Sequence, residues 1–305
     1  MQNQNEWIRK LGEQVEILVA EPMKNHTTFR IGGPADALAL PKTPEEVAEV
    51  VRFCHEHAQP YYVLGNGSNL LVSDEGYRGI VLQLYRNFND IQVNGETITV
   101  QSGAMLAAVA RTAYQTGLTG LEFASGIPGT IGGAVVMNAG AYGGEMKNVL
   151  KEVTVLTKEG EVLAIPAKAL ELGYRTSVIP KNGWIVLGAV LQLKKGDPEQ
   201  ILARMEELKE QRITKQPLDL PSAGSTFKRP EGYFAGKLIM DAGLRGFTVG
   251  GAQVSEKHCG FVVNRGDATA ADVWELICEV KRRVKERTGV ELEPEVKLLG
   301  DFPQR

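Results

Sequence analysis

The sequence predicts an α+β fold in more than one domain, on three observations. Two β-rich runs fold back on themselves at turn residues: DIQVNGETITVQ around Asn94-Gly95, and residues 153–157 with 161–165 across Lys158-Glu159-Gly160. Amphipathic helices are scattered among such hairpins and do not alternate with strands in a regular β-α-β rhythm. The chain has 305 residues, 43% of them hydrophobic, which is enough for about two domains with cores needing no disulfide or metal staple.

The elements follow in order. Trp7, Ile8, Leu11, Val15 and Leu18 recur at helical spacing and predict a helix over 5–18. Thr43, Pro44 and Glu46 form a capping box for a second helix, whose buried face is Val47, Val50, Val51 and Cys54. Tyr61–Leu64 reads as a strand, then the loop GNGSN, then strand-like runs at Leu70–Val72 and 80–84. Asn94-Gly95 predicts a type I′ hairpin. Residues 104–116 read as a helix ended by Gly117. The stretch 120–145 is too rich in glycine to be one regular element. After the second hairpin, 184–193 is a long strand. Asp197 and Pro198 open a helix with Ile201, Leu202, Met205 and Leu208 on one face, and a domain boundary is expected near 196. The last third reads as a helix at 234–242 and strands at 248–254 and 261–264. A long helix follows, capped by Thr269 and Asp272 and ended by Gly289, with Val273, Leu276, Ile277, Val280 and Val284 as its core stripe. An extended tail, VELEPEVKLLG, closes the chain.

Composition excludes several functions. The 34 Lys+Arg and 37 Asp+Glu leave a net charge of -3, so no general attraction to nucleic acid or anionic lipid is expected. Cys54, Cys259 and Cys278 form no close pair, and no metal motif or G-x-S-x-G elbow occurs. His55 and His57 point to different faces of a helix, so no metal site is expected there. No apolar run nears the ~18 residues of a membrane span and no signal peptide is evident, so a cytoplasmic protein without a membrane or obligate protein partner is expected.

Glycine, at 34 residues, exceeds the usual ~7% share, and the excess is concentrated. Gly65-Asn66-Gly67-Ser68-Asn69 follows a strand, and glycines 126, 129, 132, 133, 140, 143 and 144 crowd the second stretch. Gly lets backbone N–H groups approach an anion, so two such loops point to a long phosphate-bearing ligand lying against backbone. The first loop lacks the third Gly and the following helix of a dinucleotide fingerprint, and by itself it also fits a plain tight turn. Arg175 in GYRTS, Ser225 in PSAGSTFKRP and Glu295 in LEPEVKLLG are polar residues in Gly- or Pro-punctuated settings. Spacing alone leaves each open between a catalytic and a bland role.

Five segments in this order, GNGSNLLVSD, SGIPGTIGGAVVMNAGAYG, YRTS, AGSTFKRP and EPEVKLLG, closely resemble the UDP-N-acetylenolpyruvoylglucosamine reductase family. The resemblance runs from about residue 20 to 300. The compact spacing between Tyr174 and Ser225 is similar to the family's shorter form, which lacks an inserted tyrosine-bearing loop. The resemblance implies a two-lobed FAD-binding domain of the vanillyl-alcohol-oxidase (PCMH) type at 20–196, with lobes at about 20–86 and 87–196. A substrate-binding α+β domain is implied at 197–305, its last residues returning towards the first.

The implied activity is reduction of UDP-GlcNAc-enolpyruvate to UDP-N-acetylmuramate for peptidoglycan, with NADPH as reductant and FAD held without a covalent bond. Hydride passes from flavin N5 to C3 of the enolpyruvyl group. By the same resemblance Ser225 gives a proton to C2, while Arg175 and Glu295 hold the carboxylate that gathers charge. Arg30, Gly65, Asn66, Gly67, Ser68, Asn69 and Leu70 are implied on FAD. So are Ser125, Gly126, Pro128, Gly129, Thr130, Gly132, Gly133, Asn138, Ala139 and Gly140. Tyr174, Lys215, Lys228, Arg229 and His258 match positions lining the nucleotide-sugar site, and no metal is implied. Two other readings remain: an oxidase of the same fold, which would share the glycine loops, and a nucleotide-sugar-binding regulator without turnover.

Overall fold

The computed structural model describes residues 2–303. Its helices begin where the caps place them. Thr43 Oγ1 accepts the Glu46 N–H at 3.2 Å, and the Glu46 carboxylate reaches back to the Lys42 N–H at 2.7 Å, so helix Pro44–Glu56 starts as its sequence requires. The helix Ala270–Thr288 carries a complete reciprocal box between Thr269 and Asp272, and Gly289 ends it in the left-handed conformation at φ 74°.

The first helix departs from expectation. It spans Gln2–Gly12 and is followed by a strand, Ile17–Pro22, so Val15 and Leu18 are not helical. Gly12 weakens the helix where its apolar period would continue, and the β-branched run Val15, Ile17, Val19 prefers extended backbone. The first hairpin also differs in detail. Asn94 pairs with Thr97, so the two-residue loop is Gly95-Glu96. Only Gly95 has positive φ (59°), as in a type II′ turn and not the expected type I′. Within 120–145 a six-residue helix, Ile131–Val136, forms between loops.

The chain divides into two compact units. The first comprises 1–19, 37–66 and 79–212. Its centre is a five-stranded antiparallel sheet in the order Val162–Pro166, Leu150–Leu156, Ile185–Gln192, Thr97–Gln101, Ile91–Asn94. Helix Leu106–Gln115 and helix Ile131–Val136 contribute to the core that includes Ile98, Leu106, Val109, Ile131, Val153 and Leu191. Burying each such side chain stabilises by about 1.5–3 kcal/mol. A second core joins helix Pro44–Glu56 to a parallel strand pair, Tyr61–Leu64 and Tyr77–Gln83. This pair is a parallel element that the hairpin signals did not announce. Helix Pro198–Lys215 runs past the boundary expected near 196. Met205 packs on the first core, and residues up to Arg212 belong to this unit.

The second unit comprises 20–36, 67–78 and 213–305. Val273, Leu276, Ile277, Val280 and Val284 of the long helix pack with Phe29, Ile31 and Leu71 and with helix Ala235–Asp241. A three-stranded antiparallel sheet, Thr248–Val249, Ala252–Val254 and Val262–Asn264, lies in the same unit. Strand Lys297–Leu299 pairs in parallel with Leu70–Val72. Asp74 accepts the Ala270 and Ala271 N–H groups at 2.8 and 3.0 Å, so a distant segment satisfies the first free amides of the long helix.

Candidate functional site

In the first unit the two glycine-rich segments meet. The Asn66 side-chain amide donates to the Pro128 carbonyl at 2.7 Å, and Gln83 donates to the Gly65 carbonyl at 3.3 Å. A Cβ on Gly65 would sit 2.4 Å from Thr130 Oγ1, so only glycine lets the end of strand Tyr61–Leu64 close on this loop. The second segment is tied down by its own backbone. The Leu106 N–H donates to Gly129 O, Ile131 N–H to Ala104 O, and Gly132 N–H to Ser102 O at 2.8 Å. The Ser125 hydroxyl donates to Glu122 O at 2.8 Å, so it closes a local turn. Ala139 is buried, its N–H on Ala134 O.

Gly133 differs from its neighbours. It is exposed, lacks a positive φ, and a Cβ there would meet nothing nearer than 3.7 Å. Nothing in the protein demands glycine there, which suits a ligand lying against the backbone. Ser102 Oγ is buried beside Gly132 without a hydrogen-bond partner. Bare glycine backbone and a spare buried hydroxyl fit an FAD-sized, phosphate-bearing group.

Arg212 was missed by the sequence reading. It is half-buried against Gly126, where a Cβ would lie 3.0 Å from Arg212 Cδ. Burial pulls its guanidinium below its ordinary pKa. No hydrogen bond or ion pair to Arg212 is formed among the described residues, and Tyr142 is the group whose charge acts on it, so a partly desolvated cation is left without a carboxylate partner. The signal was in the chain: Ile201, Met205, Leu208 and Arg212 share one helical stripe, and an Arg on an apolar stripe is a buried charge.

Arg175 also lies in this unit, at φ 55°, in the left-handed region that non-glycine residues avoid. It stands in a tight turn in which Gly173 and Thr176 bond each other's backbone. Its guanidinium lies 5.2 Å from the centre of the Tyr174 ring and reaches towards the Gly140 carbonyl at 3.5 Å. Tyr174 is exposed. Gly140 has no room for a side chain, since a Cβ would meet Gly144 O at 2.7 Å. Asn138, buried at φ 45°, spends its amide on Glu145, Gly173 and Lys147.

The second unit holds the rest of the first loop. Gly67 has φ 64°, and a Cβ would fall 2.1 Å from the His26 carbonyl oxygen. Its glycine is therefore demanded by the protein's own backbone, before any ligand is considered. Ser68 is half-buried and Leu70 is buried. The Asn69 amide donates to the Glu295 carbonyl at 3.2 Å, and Asn69 O accepts the Lys297 N–H at 3.0 Å. The loop thus runs directly beside the Glu295 segment. Arg30 is exposed at φ 56°, its N–H on Thr27 O.

Ser225 and Glu295 lie on adjoining extended segments. The Glu295 N–H donates to Thr226 O at 2.8 Å, and Phe227 pairs with Pro294. Ser225 is exposed while Glu295 is 9% exposed. The Lys228 ammonium is ion-paired to Glu293. Arg229 stacks on Phe234, 4.0 Å from the ring centre, and Lys215 is exposed. His258 Nδ1 accepts the Gly260 N–H at 3.1 Å, which leaves the proton on Nε2. Burial pushes the ring below its usual pKa of 6.5 and keeps it neutral. Among the described residues no cluster of His, Cys, Asp and Glu could hold a metal ion.

Residues 35–165 match the family described as FAD binding domain, and residues 216–299 match the C-terminal domain of UDP-N-acetylenolpyruvoylglucosamine reductase. The UDP-N-acetylenolpyruvoylglucosamine reductase of Clostridioides difficile is 52% identical over 303 residues, covering 99% of this chain and all of that one. That of Lachnoclostridium phytofermentans is 56% identical over 285 residues, covering 92% of each. The chain belongs to the UDP-N-acetylenolpyruvoylglucosamine reductase family. A solved family structure from Thermus caldophilus is 40% identical, with a TM-score of 0.81, covering 94% of this chain and 99% of that one. The expected α+β class, an FAD-binding domain followed by a C-terminal domain, therefore holds. In this family member the segments with Gly65–Leu70 and Ser125–Gly140 fall inside the FAD-binding match. Ser225 and Glu295 fall inside the C-terminal match, and Arg30 and Arg175 lie outside both.

Proposed function

We propose that this reductase-family chain is an NADPH-dependent flavoenzyme that converts UDP-GlcNAc-enolpyruvate to UDP-N-acetylmuramate. The observation that carries the reading is the junction at Glu295. Its N–H is held by Thr226, next to Ser225, and its carbonyl by Asn69 of the glycine loop. Ser225, Glu295 and the Asn69 loop thus share one local frame, which supports reading them as acid, carboxyl group and cofactor loop. FAD, when bound, supplies the hydride that C3 of the enolpyruvyl group receives.

The chain's own residues do the rest. Gly65–Leu70 and the 125–140 segment, Asn138 apart, hold FAD by backbone approach, with Arg30 close by, in a domain assigned to 20–196. Arg212, short of an anion, takes a negatively charged group of cofactor or substrate. Arg175 holds the substrate carboxylate in a fork, and its charge stabilises the negative charge that develops there. Glu295, protonated, shares the same oxygens, since an ionised carboxylate would repel them. Ser225 Oγ gives its proton to C2. Tyr174, Lys215, Lys228, Arg229 and neutral His258 line the nucleotide-sugar site, the last four from the substrate domain assigned to 197–305. Among the described residues no helix is long and apolar enough to cross a membrane, and a cytoplasmic location belongs to the same proposal.

The test begins with colour and turnover. The purified protein is yellow, releases its flavin on acid precipitation, and oxidises NADPH faster when UDP-GlcNAc-enolpyruvate is present. Ser225→Ala then separates this reading from an oxidase or a mute binding protein. NADPH bleaches its flavin at a near-normal rate, while reoxidation by the enolpyruvyl substrate slows by ~10²–10⁴. Equal slowing of both halves, or an undiminished second half, refutes the assignment.

A further inference from the structure

We infer that Asn138 is a positioning residue that fixes the turn carrying Arg175, and not a ligand of the cofactor. The inference rests on the proposed role of Arg175 only for its kinetic consequence; the structural link stands by itself.

Asn138 is 1% exposed, and every polar atom of its side chain is spent. Oδ1 accepts the Lys147 N–H at 2.9 Å, which orients the amide. Nδ2 then faces two acceptors, the Glu145 carboxylate at 2.7 Å and the Gly173 carbonyl at 3.0 Å. Only a group with one acceptor and two donors satisfies this trio, and an amide is that group. The Glu145 carboxylate is held in turn by the Lys147 ammonium at 2.6 Å, so the charge beside Asn138 is compensated.

The Gly173 end matters because of what it carries. Gly173 and Thr176 close a turn on each other, with Tyr174 and the left-handed Arg175 at its tip. That turn is pinned to the second glycine-rich segment at two points besides the Arg175 side chain. One is Asn138 to Gly173 O; the other is the Ser177 hydroxyl to Val136 O at 2.6 Å. Arg175 at φ 55° holds a conformation it would leave if the turn were free. Asn138 itself sits at φ 45°, a conformation that Asn tolerates better than most residues. Its backbone and its side chain therefore both suit this one place.

The test uses two variants that keep the left-handed backbone available. Asn138→Gly removes the amide. Asn138→Asp keeps the shape and the bond from the Lys147 N–H but cannot donate to Gly173. Hydrogen exchange is followed over the whole holoenzyme. The expected result is at least 10-fold faster exchange at 173–177, with FAD content unchanged and the five-stranded sheet as protected as before. Unchanged exchange at 173–177 in both variants overturns the inference. So does loss of FAD with 173–177 still protected, which would make Asn138 a cofactor ligand.

Stopped-flow kinetics give the second readout. Asn138→Gly slows reoxidation of the flavin by the enolpyruvyl substrate about 10-fold or more and leaves reduction by NADPH within about 2-fold. In an Arg175→Ala background the same change slows reoxidation by less than about 2-fold, because the residue through which it acts is gone. Equal, additive losses in both backgrounds overturn the link to Arg175. If the unmutated enzyme is not reoxidised by this substrate, the proposed function fails, and hydrogen exchange still decides whether Asn138 holds the turn.

Discussion

Replacing Gly67 by Ala separates two reasons for a glycine in the cofactor loop. The sequence offers one: a bare backbone for a phosphate. The structure offers another, because φ is 64° and a Cβ would stand 2.1 Å from the His26 carbonyl oxygen and 2.9 Å from Thr27 Cα. Left-handed backbone costs a non-glycine residue about 1–2 kcal/mol. Overpacking against atoms that cannot rotate away adds about 1–3 kcal/mol, since the obstacle is main chain and not a flexible side-chain end. The sum is about 2–5 kcal/mol, and it applies with or without FAD. The assay is urea unfolding of the apoprotein, prepared by stripping the flavin from both forms. With a slope of about 3 kcal/mol per M, Gly67→Ala lowers the midpoint by roughly 1 M. Gly65→Ala serves as the contrast. Its obstacle is the Thr130 hydroxyl at 2.4 Å, so Thr130→Ala restores much of the loss, whereas no side-chain deletion relieves Gly67→Ala. An apoprotein of Gly67→Ala with an unchanged midpoint, but with weakened FAD binding, would refute the packing argument and return the glycine to the ligand.

Three further outcomes follow from other parts of the site. Arg175→Lys keeps the charge but loses the fork, so it lowers kcat by at least about 10-fold while KM changes less; a raised KM with normal kcat would make Arg175 a mere anchor. Arg212→Met keeps the packing on Gly126 and removes an unpaired, desolvated charge, so the apoprotein gains on the order of 1 kcal/mol while affinity for FAD or substrate falls about 10-fold; an apoprotein that loses stability contradicts the unpaired charge. His258 is held neutral by burial with its pKa below 6.5, so the unfolded chain binds the proton more readily than the folded one. Stability is then full above about pH 6.5 and falls as pH drops from there through the depressed pKa, and His258→Gln flattens that part of the profile; identical pH profiles would show that His258 does not contribute.

Local instructions were legible in the sequence because they act within about four residues. The Thr43 and Thr269 caps, the Gly117 and Gly289 stops and the two hairpins needed no distant partner. Where a local signal failed, another local preference won: Gly12 and the β-branched run after it ended the first helix, and Gly95-Glu96 took the turn from Asn94-Gly95. The ordered segments that resemble the reductase family were equally legible, and the relatives' identity over nearly the full chain agrees with them.

The tertiary structure decided what those residues touch. The family resemblance implies both Asn69 and Asn138 on FAD. Asn69 meets the Glu295 carbonyl 226 residues away, and Asn138 meets Gly173 35 residues away. Lys228 found Glu293, and Arg212 found glycine backbone and no acceptor. A buried hydrogen bond or an unpaired charge is a property of two surfaces brought together by the fold. Its energy depends on the partner and on the water excluded, and neither is written in the order of residues near it.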